Sequence, residues 1–316
     1  MVNRLVRGML FCFVSAVAWG GMFPVMVSAL KIIDPFYFTA IRYTVASAIF
    51  VLLLAVCEGS AAFTLNGKAV SVWLLGSAGF AGFGFLVFLG QETIPGSSGA
   101  VVAATIVATM PLMAACVRWI SAGQRPPGYT FLSMLFALFG VLVVLTNGHL
   151  SELWAITTNI VADVLIVLGV FSWVIYTWGS SMFSGWSSLR YTTLTSLFGT
   201  ITILFVIIVG TTAGFLHAPT IARLVFVKWQ MLYMILIASV VAVFTWNAGN
   251  KAIGPSNGVL FINLVPISAL VVMGVFGYRV TKVQVFGAVI VVISLAANNL
   301  YQRKALAFQL AKARLK

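Results

Sequence analysis

Arg42 lies seven residues past Pro35, inside a mostly apolar run from Phe36 to Val56. On a helix that rises about 1.5 Å per residue, it stands on the order of 10 Å from the helix start. A charge at that depth costs several kcal/mol unless it is paired or faces a wet cavity. Two uses fit it. As a cavity cation, Arg42 would meet a carboxylate-bearing solute or gate the outer mouth. As a structural residue, it would snorkel to the interface and satisfy loop carbonyls.

Aromatic residues recur at matching places in two apolar segments half a chain apart: Trp19 in the first, Trp173 and Tyr176 in the second. Such side chains make amphipathic walls, with a flat apolar face for a solute and an N–H or O–H for its polar end. The alternative is an interfacial belt or plain packing. Trp19 lies twelve positions into its span, which is deep for a belt. Trp246 and Asn247 correspond, through the repeat described below, to Gln91 and Glu92. Polar groups in lipid collect inside a bundle or along a water path. Glu92 is therefore either a candidate proton-coupling acid or an exposed residue at the outer end of its helix. Asp163 opens the sixth apolar segment, where an acid also complements a helix N-terminus; a capping role is expected.

Pro24, Pro111 and Pro266 interrupt long apolar helices, and each removes one i→i−4 hydrogen bond. They are candidate hinges, or kinks tolerated for packing alone. Gly76, Gly79, Gly82 and Gly84 read as a close helix–helix contact.

The elements that must position these residues follow from composition. Hydrophobic residues make up 62% of 316 positions and charged residues 7%, against roughly 25% charged in a soluble domain. The outer surface must face lipid. The net charge of +13 does not indicate nucleic acid, because the 18 Lys and Arg sit between apolar blocks rather than on one face. Ten spans are expected, at 8–30, 36–56, 70–91, 98–119, 129–146, 162–180, 191–210, 230–249, 258–278 and 282–301. The first is too long for a signal h-region and contains Trp19 and Pro24, so it reads as a mature helix. With the N-terminus in the cytoplasm, twelve bases fall on the cytoplasmic side and five on the other, with Arg42 inside a span. Both termini are then cytoplasmic, in the cell's inner membrane.

The second half echoes the first at an offset of about 154. Ser15, Trp19, Met22 and Met26 match Gly169, Trp173, Tyr176 and Ser180; Tyr37 and Thr39 match Tyr191 and Thr193. One residue out of phase, Gly99 and Pro111 match Gly254 and Pro266. The expected units are 1–147 and 148–301, five helices each, followed by a basic amphipathic tail at 302–316 that lies on anionic headgroups. Five is odd, so the copies must be inverted relative to each other, which suits alternating access around a midplane site.

The chain resembles the EamA-type branch of the drug/metabolite transporter superfamily. The resemblance is carried by AWGGMFP (Ala18–Pro24), DPFYFTAIRY (Asp34–Tyr43), Met110-Pro111 and Trp246-Asn247, and it covers both repeats. It implies an all-α integral membrane fold of ten helices. The central cavity would be lined by spans one to four and six to nine, with spans five and ten at the periphery. Gly123-Gln124-Arg125 stands where the family often has an acid after span four.

Cys12, Cys57 and Cys116 have no paired spacing, and His149 and His217 are far from any acidic cluster. No metal site, cofactor or catalytic grouping is therefore expected. The expected function is secondary transport that exports small organic metabolites, amino acids among them. The alternatives are a channel or a non-transporting membrane scaffold. Substrate-binding residues would be Trp19, Arg42, Trp173, Tyr176, Trp246 and Asn247. Expected partners are a small-molecule solute and membrane lipid, without nucleic acid, for a monomer or homodimer.

Overall fold

The computed structural model describes residues 2–94, 98–123, 125–149, 159–275 and 279–314. Among these, secondary structure is helical throughout, with no strand. Among the described residues nine helices are long and apolar enough to cross a membrane: span 1 (Asn3–Ala29), span 2 (Pro35–Glu58), span 3 (Ala69–Thr93), span 4 (Val102–Ser121), span 5 (Gly128–Thr146), span 6 (Ile160–Phe183), span 7 (Ser188–Thr212), span 8 (Lys228–Ile253) and span 9 (Pro255–Val272). The tenth expected span appears as a shorter apolar stretch, Lys282–Asn298, within a continuous helix Lys282–Arg314. We call it span 10. The membrane face that span 1 enters from is termed the N-terminal face.

Local chemistry sets the helix ends. Asp34 caps span 2, its side chain accepting from Tyr37 N at 2.9 Å, with Pro35 in the first turn. Ser187 caps span 7 through Arg190 N at 2.9 Å. Span 6 is capped by Asn159, which accepts from Ala162 N at 3.2 Å. The cap expected of Asp163 is therefore made four residues earlier, and Asp163 stands in the first turn. Asn147 ends span 5 in the left-handed conformation, at φ 52°.

The spans are not uniform rods. Span 1 breaks at Gly21, and span 4 breaks just before Met110. In span 9 a 3-10 stretch, Val259–Asn263, precedes a new α-helix at Leu264. Pro24, Pro111 and Pro266 each occupy the second or third residue after such a break, in the first turn of the new segment. A proline is well tolerated there because first-turn N–H groups lack helical partners. The breaks thus lie just ahead of the prolines rather than at them. Spans 3 and 8 each contain a π-helical segment, Ser77–Gly82 and Tyr233–Val241, which the apolar periodicity does not reveal.

Packing follows small residues and hydroxyls. Spans 5 and 10 lie antiparallel through Gly140 and Gly287, each of which lets the other's backbone approach. Gln284 Nε2 donates to Val144 O at 3.4 Å near one end, and Tyr129 stacks on Tyr301 at 5.4 Å near the other. Span 2 is tied to span 7 by Ser47–Thr200 at 2.8 Å and by Thr193 Oγ1 to Phe50 O at 3.1 Å. The glycines of span 3 act as the spacing suggests: a Cβ on Gly76 would lie 2.2 Å from Thr195 O, and one on Gly79 2.5 Å from the Tyr176 ring. Leu52, Ile120, Phe136, Phe205 and Phe286 are exposed, as a lipid-facing surface requires.

Gly76→Ala should force spans 3 and 7 apart. We expect a loss of about 1–3 kcal/mol, read as a lower thermal midpoint in detergent. An unchanged melt would mean that this contact is looser than the backbone approach requires.

Candidate solute site

The charged centre is built from spans 2 and 8. Arg42 is 1% exposed, so it does not snorkel to the interface. Its Nε donates to Ser239 Oγ at 2.5 Å, and Nη2 reaches Ala238 O at 3.4 Å. The guanidinium carbon sits 4.6 Å from the centroid of the Tyr43 ring, in cation–π range. Nη1 has no hydrogen-bond partner among the described residues. The acceptors come from the π segment of span 8, where Ser239 Oγ itself donates to Met234 O, five residues back, at 2.8 Å. Trp19 of span 1 donates from Nε1 to the same Ala238 carbonyl at 2.8 Å. One backbone oxygen therefore fixes both the cation and the Trp19 indole.

Arg42 lines a narrow cavity together with Trp19, Met22, Phe23, Tyr43, Phe83, Val107, Met110, Trp173, Val243, Ile262 and Val265. Trp19 meets Trp173 edge-on at 5.5 Å, and Phe83 lies 5.4 Å from Trp173. Its wall is thus aromatic, with one guanidinium, a composition that suits a small solute with a flat or apolar body and an acidic group. Val107 and Ile262, four residues before Pro111 and Pro266, both line the cavity beside these breaks.

The remaining expected site residues stand behind this wall. Trp246 packs on Trp19 at 5.3 Å and donates to Thr177 Oγ1 at 3.0 Å. Tyr176 lies 5.0 Å from Trp173 and accepts from Asn247 Nδ2 at 2.6 Å. The second hydrogen of that amide goes to Thr192 Oγ1 at 2.8 Å, whose own hydroxyl donates to Ser188 O. This donor accounting fixes the amide's orientation and leaves Asn247 Oδ1 without a partner.

Two further cavities continue toward the N-terminal face. One shares Met110 and Trp173 with the aromatic cavity and reaches Pro255 and Ser256. The next, a wider vestibule, shares Pro255 and is lined by Arg4, Tyr191, Asn247, Asn250 and Lys251 among others. Spans 1–4, 6, 8 and 9 line the aromatic cavity. Span 7, expected there too, instead lines the vestibule through Ser188 and Tyr191. Two hydrogen bonds tie span 1 to spans 8 and 3 beside the cavity. Tyr233 Oη donates to Ala18 O at 2.6 Å over Gly21, and Gln91 Nε2 reaches Phe23 O at 3.4 Å. Glu92 is exposed and lines none of these three cavities.

The structure thus unites Trp19, Arg42 and Trp173, and sets Tyr176, Trp246 and Asn247 as a supporting layer. Sequence reasoning missed Tyr43, Phe83, Ser239 and the Ala238 carbonyl. Ser239 carried one signal, as a lone hydroxyl in the apolar run from Met234 to Phe244; a backbone carbonyl carries none.

The chain matches the EamA-like transporter family twice, over residues 6–146 and again over 160–300. It belongs to that family, a family of multi-pass membrane transporters built by duplication. Among curated proteins it is similar to the uncharacterized transporter YrdR of Bacillus subtilis, 39% identical over 96% of this chain and 94% of that one. It is also similar to the uncharacterized transporter YyaM of the same organism, 28% identical over 80% of each chain. A solved crystal structure shares the fold at a TM-score of 0.73 and 17% identity, covering 94% of this chain and 98% of the other.

Ser239→Ala would leave Arg42 Nε without its acceptor in a buried place. The expected loss is about 1–3 kcal/mol in a thermal melt. An unchanged midpoint would show that the guanidinium is held by other groups.

Proposed function

We propose that the protein is a secondary transporter of the inner membrane that exports small carboxylate-bearing metabolites, amino acids among them, by alternating access. The observation that supports this reading most is Arg42. It is buried, it lines an aromatic cavity, and one of its guanidinium nitrogens has no partner among the described residues. A buried cation left short of acceptors is stabilised by an incoming carboxylate, and the planar fork suits a carboxylate better than a point charge would.

The two units, 1–147 and 148–301, are inverted copies on this reading, and the path alternates between the faces. The vestibule and intermediate cavity form the side open to the cytoplasm, while the Tyr233–Ala18 contact closes the other. Pro24, Pro111 and Pro266, each next to a helix break, serve as hinges, and Glu92 is the candidate coupling acid at the far mouth. The solute is gripped by Arg42 and the Trp19 and Trp173 walls, with Tyr176, Trp246 and Asn247 holding those walls in place. The protein acts as a monomer or homodimer.

Proteoliposome uptake with a panel of charged and uncharged solutes tests the site. Arg42→Gln should nearly abolish carboxylate transport while sparing neutral solutes and leaving the melt intact. Arg42→Lys should weaken apparent affinity about tenfold without abolishing transport. A lower melt with equal loss of every solute would make Arg42 structural. Conductance recordings on the same vesicles would expose a channel, since a carrier saturates at low turnover.

Orientation is tested separately, in a background without Cys12, Cys57 and Cys116. A thiol reagent that cannot cross the membrane should label His217→Cys on intact cells and should not label Ser184→Cys. The opposite pattern would reverse the direction proposed here.

A further inference from the structure

We infer that the vestibule on the N-terminal face is an anion-binding site in its own right, which captures the carboxylate of a small organic acid before it reaches Arg42. The inference rests on the carboxylate reading above and extends it to a second station on the same path.

Charge is distributed unevenly around this space. Arg4 and Lys251 line it, and no acidic side chain does. Two more bases stand just behind its wall: Lys68 lies over Phe183 at 4.8 Å, and Arg190 over Trp186 at 4.3 Å. Among the described residues the one acid near it is Glu58, which accepts from Ser187 Oγ at 2.6 Å. Four cations and one carboxylate leave a strongly positive concavity, the arrangement that focuses a field and raises the local concentration of an anion.

The donors have capacity to spare. Lys251 Nζ donates to Trp186 O, which uses one of its three hydrogens. Among the described residues Arg4 makes one hydrogen bond, Nη2 to Lys251 O at 3.5 Å, out of five N–H donors. The first turn of span 7, capped by Ser187, opens beside them, so its partial positive charge adds to the same field.

The positive-inside rule accounts for bases near this face but not for their gathering around a cavity. Other bases of the face are spent elsewhere: Arg7 lies over Phe11 at 5.1 Å and Arg125 over Trp119 at 4.7 Å, and neither lines the vestibule. The vestibule also lies in series with the aromatic cavity, through Pro255 to the intermediate cavity and then through Met110 and Trp173. An anion held at Lys251 would therefore be next to the path that ends at Arg42.

The test uses the full chain in vesicles of phosphatidylcholine, with an environment-sensitive fluorophore on Ser184→Cys, which lines the vestibule. The probes are glutarate and its neutral diamide, glutaramide. Glutarate should give a saturable signal that weakens as ionic strength rises, and glutaramide should give none. Arg4→Gln with Lys251→Gln should raise the apparent Kd about tenfold, whereas Arg7→Gln should leave it unchanged. Both altered residues are exposed, so the fold should survive; matched melts check this, and each single variant should give an intermediate Kd. Equal signals from glutarate and glutaramide would overturn the proposal, as would a double variant that binds like the parent. Loss of the glutarate signal when phosphatidylglycerol is added at constant ionic strength would assign the site to a lipid headgroup and also overturn it. The assay reads binding rather than translocation. Carboxylate transport without a vestibule signal therefore defeats the loading site alone. A vestibule signal without carboxylate transport defeats the Arg42 reading and leaves the anion site standing.

Discussion

A guanidinium held away from water at the heart of a lipid-embedded bundle is the constraint around which this structure is arranged. Arg42 cannot stay charged there without acceptors, yet every regular helix around it has already committed its carbonyls to its own backbone ladder. The π segment of span 8 relieves that conflict. Its wider turn places Ser239 Oγ and the Ala238 carbonyl toward span 2, and the Ser239 hydroxyl hydrogen is itself taken up five residues back by Met234 O. Because Trp19 donates to the same carbonyl, the orientation of its indole is coupled to the charge. Close passage of span 1 is needed for this, and Gly20 and Gly21 provide it: a Cβ on either would lie within 2.6 Å of span 9 or span 8.

Duplication supplies the scaffold, and divergence between the copies supplies the chemistry. Both copies carry a π segment in their third helix, but the two segments face different surroundings. The segment in span 3 packs its Gly79 on the Tyr176 ring, next to the Tyr176–Asn247–Thr192 hydrogen-bond cluster. The segment in span 8 faces the cation. The two segments thus stand beside unlike polar groups, a charge at one and a network of neutral donors and acceptors at the other.

Spans 5 and 10 stand apart from this chemistry. They pack against each other through Gly140 and Gly287 and contribute nothing to the aromatic cavity. Their separation leaves the eight inner spans free to carry breaks and π turns, which a peripheral lipid-facing pair could not tolerate without exposing unsatisfied backbone to hydrocarbon. The helix breaks cluster accordingly in spans 1, 4 and 9, where the bundle interior can re-satisfy the freed groups.

The membrane class, the spans and the duplication were legible in the residues themselves, because hydropathy over about 20 residues is a local property of composition. Arg42 and Trp19 could be picked out for the same reason: a charge or an indole deep in an apolar run is conspicuous whatever surrounds it. What each of them touches was not legible. The acceptor of Arg42 lies 197 positions away in the chain, and the Ala238 carbonyl looks like any other in sequence. Nor could periodicity tell that Trp173 faces the cavity while Trp246 supports it, since both sit on apolar helices of similar pattern. Tertiary structure decided these points, because a buried charge in hydrocarbon is stabilised only by whichever polar atoms the packing of distant helices brings within hydrogen-bond reach.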